Sequence, residues 1–179
     1  VSGSVSTSSR SVVNRVRDNG GMPSIGIDVE PVVASSMFRE MQAALLYLRA
    51  QELRAAEAAG ALPTELPVKS REALEWATIG GARAIGLESK IGSLTPGKQA
   101  DIVMLRASDS NLTPVHNPVY TIVEQAGDGN VDTVIIGGIV RKSGGKATFP
   151  EAVRRQRIKE LAASSERIMK AAKFEPTRH

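Results

Sequence analysis

The sequence predicts an α/β chain, and three observations carry that class: strand–helix–strand order near the start, helix-period apolar spacing through the middle, and β-branched runs punctuated by glycine turns later on. Val1 to Ser6 alternates valine with serine or glycine, the pattern of a strand with one small polar face. Ser8 or Ser9 can cap a helix in which Val12, Val13 and Val16 recur at helical spacing, and Asn19, Gly20 and Gly21 end it. Ser24 to Asp28 reads as a second short strand. Strand, helix and strand at this spacing form a βα unit of a parallel sheet, and an acid closing such a strand faces the end where α/β enzymes place their chemistry.

A long helix starts near Ser36 and runs to Ala59, stopped by Gly60 and Pro63. Phe38, Met41, Leu45 and Leu48 give it one buried stripe, while its second half, QELRAAEAA, mixes charge with alanine and belongs in solvent. After a linker from Leu62 to Val68, Ser70 can cap a helix bearing Leu74 and Ala77, with Trp76 expected against the sheet and Gly80 and Gly81 expected to interrupt it. Pro96 and Gly97 then make a tight turn, because proline pre-sets one backbone angle and glycine accepts the positive one that follows. Asp101 precedes a short apolar strand, Ile102 to Leu105. The stretch from Ser108 to Tyr120 is rich in Asn, Ser and Pro and reads as a loop. Tyr120 to Gln125 and Val131 to Ile136 read as strands by their β-branched content, and Gly137–Gly138 as a two-residue hairpin turn into Ile139 to Lys142. Pro150 suits the first turn of a basic amphipathic helix over 151–173.

Composition narrows the classes. With 179 residues and 41% hydrophobic content the chain can bury one core. Its net charge is +4, but at 3% aromatic content it lacks stacking platforms for single-stranded nucleic acid. Arg154, Arg155, Arg157 and Lys159 are interleaved with Glu151 and Glu160, as on a solvated helix face, so no nucleic-acid partner is expected. There is no cysteine, hence no disulfide or thiolate ligand, and no apolar run approaches a membrane span. The expectation is a soluble, cytoplasmic protein. Because the chain begins at Val1 in what reads as mid-strand, it is also expected to be the later part of a longer protein.

Four stretches resemble the metal-dependent amidohydrolases. The stretch IGSLTPGKQADIVML, from Ile91 to Leu105, is similar to that family's closing turn and strand. Upstream, Ala77, Thr78, Gly81, Ala82, Ala84, Ile85, Gly86 and Leu87 look like its preceding helix, and downstream Val131 to Arg141 looks like its late hairpin. PSIGIDVE (Pro23 to Glu30) followed by MFREMQAALLYLR (Met37 to Arg49) is similar to the branch that deaminates or dechlorinates cytosine, guanine, adenosine-derived and triazine rings. The resemblance implies the C-terminal portion of a (β/α)8 TIM-type barrel plus part of a small β-sandwich and a C-terminal helix. It divides the chain into last βα units with their helices (1–88), part of the sandwich (89–149) and the terminal helix (150–179). A full barrel takes about 250 residues, so this chain cannot contain one. The resemblance further implies hydrolysis at a ring carbon of a small cyclic substrate.

In that family the aspartate ending the last barrel strand touches a divalent metal, zinc or iron, and shuttles a proton from the attacking water to the leaving group. Carried over, the role falls on Asp28, as both catalytic residue and metal ligand; an ordinary strand-end aspartate capping a loop is the competing reading. Catalytic zinc takes about three protein ligands plus water, usually histidines. The two histidines here, His116 in the Pro/Asn loop and His179 at the end, match no family ligand and read as solvated. Glu30 reads as a solvated loop acid, the competing reading being that it lines the same pocket, and Asp101 reads as structural. The competing expectation is therefore a chain with no catalysis of its own, serving as an assembly module. Exposed strand edges would then drive it to a homo-oligomer or to a missing N-terminal portion.

Overall fold

The computed structural model describes residues 11–28 and 35–174. Helix α1 (Val12–Asp18) is capped by Ser11, whose hydroxyl accepts the Asn14 amide, so the cap falls nearer the helix than Ser8 or Ser9, which lie outside the described residues together with the strand expected over Val1 to Ser6. Asn19 and Gly20 end it, as expected.

Helix α2 (Met37–Ala58) has the bounds its sequence announces: Ser36 accepts the Arg39 amide at the start, and Gly60 follows the Ala59 cap. Its stripe of Met41, Leu45 and Leu48 is buried and meets Val68, Ala73, Trp76 and Val123 in the main apolar cluster, with Val13, Met22, Ile25 and Phe38 at its margin. Trp76 therefore packs among helices rather than on the sheet. The reason is register, since Trp76 follows Ala73 by three residues and shares its inward face.

Helix α3 (Ser70–Glu75) passes without a break through a π-turn (Trp76–Gly80) into α4 (Gly81–Ala84). Gly80 and Gly81 keep right-handed helical angles, so they do not interrupt the helix as their type suggests. Ser70 is not the cap either. Lys69 holds that position and its amide donates to Glu72 Oε1 at 3.0 Å, which leaves the Ser70 hydroxyl for another partner.

A second departure lies at 118–125. The β-branched run Thr121, Ile122 and Val123 is helical, with α5 (Pro118–Tyr120) leading into a π-turn (Thr121–Gln125). Asn117 starts it by accepting the Val119 and Tyr120 amides, and Pro118 occupies the first helical position, where a missing N–H costs nothing. Cap chemistry and the burial of Val123 outweigh intrinsic β preference here.

The sheet is antiparallel in the order β1 (Ile102–Leu105), β2 (Val131–Ile136), β3 (Ile139–Ser143) and β4 (Lys146–Ala147). Gly137 and Gly138, at φ 56° and 79°, form the hairpin turn that only residues tolerant of positive φ make without strain. Lys98 N bonds Thr95 O across the Pro96–Gly97 turn, as the sequence predicts. The stretch over Ser24 to Asp28, by contrast, forms no ladder among the described residues, and its Ile25 amide donates to Trp76 O at 3.3 Å. A strand exists only with a neighbour, and no other described strand lies beside it. Helix α6 (Glu151–Ala172) matches its expected span and contains no buried residue.

Candidate functional site

Asp28 lies in the stretch that leaves α1 and crosses the α3–α4 helix. Met22 and Ile25 pack on the apolar cluster, the Ile25 amide is tied to Trp76 O, and Pro23 is buried. Asp28 itself is exposed, at φ 62°. Left-handed backbone is uncommon outside glycine, though aspartate tolerates it better than most, and such positions collect at functional turns. An anchored backbone thus carries an exposed carboxylate.

The other residues singled out by sequence do not join it. Glu30 and His179 lie outside the described residues, and His116 is exposed in the loop after β1. Asp101 is structural: its Oδ1 accepts the Gly137 amide at 2.7 Å, while Gly138 N donates to Ala100 O, so this carboxylate clamps the β2–β3 turn. Arg154 and Arg155 pair with Glu151, and Arg157 with Glu160, along α6. Among the described residues no three of His, Cys, Asp and Glu converge as a metal site would require. The divalent metal implied by resemblance therefore does not fit the described side chains alone: one carboxylate stands where about three ligands are needed.

The structure adds a polar centre that sequence reasoning missed. Arg49 is 8% exposed; its Nε donates to Val68 O at 2.9 Å and its two terminal nitrogens grip Glu124 at 3.1 and 3.2 Å. The Ser70 hydroxyl donates to the same carboxylate at 2.5 Å. Burial pushes the Glu124 carboxyl up, but hydrogen bonds from Arg49 and Ser70 and the Arg49 charge outweigh it, so the group sits below its ordinary value. A surface cavity of about 440 Å³ opens beside this network, with Lys69, Asn117 and Tyr120 on its walls. Every charge in the pair is matched, so it joins α2, α3 and the 118–125 helix and leaves no free base or nucleophile. One signal could have found it: Arg49 follows Leu45 and Leu48 on the buried face of α2, where a cation requires a partner.

Comparison with known proteins bears on the family. Residues 3–140 match the pattern of the Amidohydrolase family. The chain is 42% identical over 102 residues to a 5-methylthioadenosine/S-adenosylhomocysteine deaminase of Teredinibacter turnerae, a match covering 57% of this chain and 21% of that protein. It is similar in structure to a zinc-bound adenosine deaminase from Xanthomonas campestris, with TM-score 0.57 and 29% identity over 72% of this chain and 27% of the other. A triazine hydrolase variant shares the fold over 80% of this chain and 30% of its own, at TM-score 0.65 and 20% identity. The chain thus spans about a fifth of the length of the curated relatives it matches.

Proposed function

The chain belongs to the Amidohydrolase family, and from that premise we propose that it supplies the proton-carrying aspartate of a hydrolase acting on a carbon–nitrogen or related bond of a small cyclic compound. Residues 1–88 are read as the last βα units of a TIM-type barrel, 89–149 as part of a β-sandwich and 150–179 as a terminal helix. The observation that carries the proposal is the setting of Asp28, an exposed carboxylate three residues beyond Ile25, whose amide is tied to the helical core. A carboxylate so placed can take a proton from an attacking water and return it to a departing amine, ammonia or halide, a role worth about 10²- to 10⁴-fold in rate. Asp28 is also read as one member of a metal-ligand set, of zinc or iron, whose other members lie outside the described residues.

The test is a graft in which residues 3–140 replace the homologous segment of the Teredinibacter turnerae deaminase. Turnover of methylthioadenosine is expected to survive the graft and to fall about 100-fold or more in Asp28→Asn. Equal turnover with aspartate and asparagine would remove Asp28 from the chemistry.

A second reading, an assembly module without catalysis of its own, is favoured by apolar surface left uncovered on the sheet, where Val103, Ile136 and Ile139 are more than half exposed. Elemental analysis and molar mass of the purified chain separate the two. About one bound metal per chain supports the hydrolase, and a metal-free homodimer supports the module.

A further inference from the structure

The π-turn at Trp76–Gly80 has a use that helix geometry alone does not demand. A π-turn widens the helix by one residue and removes one carbonyl from the regular ladder, and such turns gather at functional sites. Here Trp76 O accepts the Ile25 amide at 3.3 Å. Four residues on, the chain crosses so close to Gly80 that a Cβ there would be driven into the Pro23 carbonyl oxygen, with Glu75 O tight at 3.1 Å and Met22 Cγ in ordinary contact at 3.5 Å. Gly81, its neighbour, faces open space. The two glycines are therefore unequal: one is replaceable and the other is the floor on which residues 22–25 rest.

We infer that Gly80 is a positioning residue, and that with the Trp76 carbonyl it forms a seat fixing the path of residues 22–28 and hence where the Asp28 carboxylate is presented. The inference rests on the reading of Asp28 as the working carboxylate, and it concerns Gly80, to which sequence analysis gave only a helix-breaking role. The seat has two parts that act together. The hydrogen bond sets the height of Ile25 along the helix, and the missing side chain at Gly80 sets how closely the backbone approaches. Met22 and Ile25 then reach the apolar cluster on either side of the buried Pro23, so a shift of the segment is opposed by lost packing as well. Three residues beyond Ile25 the chain reaches Asp28, too short a span to absorb a displacement before the carboxylate.

Gly92 supplies the control. A Cβ at Gly92 would meet Ala82 Cβ at 2.7 Å and Ile79 Cα at 3.0 Å, an insult to the same helical run that names no atom of residues 22–28. If Gly80 matters only for helix packing, Gly80→Ala and Gly92→Ala behave alike; if it positions Asp28, they differ.

The experiment uses the full 179-residue chain, which has no cysteine and one tryptophan. In the unsubstituted chain the Ile25 amide is expected to exchange with deuterium about tenfold more slowly than the Ser24 and Gly26 amides. Exchange as fast as those neighbours overturns the seat, whatever the variants do. Gly80→Ala is expected to abolish the protection, and Gly81→Ala and Gly92→Ala to keep it. A nitroxide placed by Asp28→Cys quenches Trp76 at a rate set by their separation. That rate is expected to change about twofold or more in the Gly80→Ala background and to stay put in the Gly92→Ala background, even where Gly92→Ala lowers thermal stability more. Equal responses in the two backgrounds refute positioning. Neither readout depends on turnover, so the seat can fail while Asp28→Asn still silences the graft. Conversely, an intact seat beside an Asp28→Asn graft that keeps full activity overturns the positioning role along with the reading of Asp28.

Discussion

Replacing Arg49 by methionine keeps most of the apolar stem and deletes the guanidinium, which isolates the polar centre between α2, α3 and the 118–125 helix. Two groups lose partners. The Val68 carbonyl loses its Nε donor at a residue with no exposed surface, a loss of about 1–2 kcal/mol. Glu124 keeps only the Ser70 hydroxyl and stays charged beside an apolar neighbour, a further loss of about 1–2 kcal/mol, since the paired side chains are only 9% and 19% exposed. Arg49→Met is thus expected to destabilise the chain by about 3 kcal/mol at pH 7. The sign of the pH dependence follows from Glu124. Its folded pKa lies below its unfolded value, so its contribution is complete above about pH 4.3 and disappears as pH falls through the folded value. In Arg49→Met the carboxyl loses the Arg49 hydrogen bonds and charge that help lower it, keeping only that of Ser70, so the gap between variant and parent narrows on acidification from pH 7 toward the folded pKa. Urea unfolding followed by Trp76 emission reads this directly, because Trp76 is the sole tryptophan, is 3% exposed and sits in the adjoining cluster. Arg49→Met combined with Glu124→Leu should recover part of the loss, since an apolar pair leaves no buried charge. A loss under about 1 kcal/mol for Arg49→Met, or one that does not change on acidification, refutes the assignment of the pair as the tie between these helices.

Leu45→Ala empties a site 1% exposed at the centre of the apolar cluster and is expected to cost about 2–5 kcal/mol, read as a fall in urea midpoint at unchanged slope. Asp101→Ala unclamps the β2–β3 turn. It should cost about 1 kcal/mol and speed deuterium exchange at the Gly137 amide, with exchange at Ile25 unchanged.

The sequence shows most where structure depends on near neighbours. Ser36 and Gly60 frame α2 because caps act within a turn, and Gly137–Gly138 fixes the hairpin because two positive φ angles select glycine. Asp101 was readable as structural, although its partner, 36 residues away, was not. Misreadings arise where a distant contact overrides a local preference. Thr121, Ile122 and Val123 prefer strands, yet Val123 joins the helical cluster, and the Asn117–Pro118 start was the signal passed over. Gly80 looked like a helix breaker because nothing near it in sequence says that Pro23 lies against it. Arg49 and Glu124, 75 residues apart, could be found only by asking why a cation shares the buried face of α2. For the proposed site, Asp28 was singled out by its type and by its neighbours. What anchors it was not, since the Trp76 carbonyl is backbone and carries no side-chain signature.

The described chain is unevenly packed, and the unevenness bears on the proposed role of Asp28. Full burial of large apolar side chains is concentrated in the cluster of α2, Val68, α3, Trp76 and Val123, and Met22 and Ile25 of the Asp28 segment pack against it. Among the strands only Val131 is buried, and α6 buries nothing. Charge follows the same division. Helix α6 with Lys173 carries seven cationic and three acidic side chains, which accounts for the whole formal charge of +4 and leaves the rest of the chain neutral. A carboxylate that accepts and returns a proton needs a fixed backbone and a field set by its immediate partners. Asp28 has the first from the helical core, and the excess positive charge belongs to a helix that shares none of that core. Residues 22–28 are thus carried by the most tightly packed part of the chain, while the exposed apolar and basic side chains concentrate on the sheet and α6.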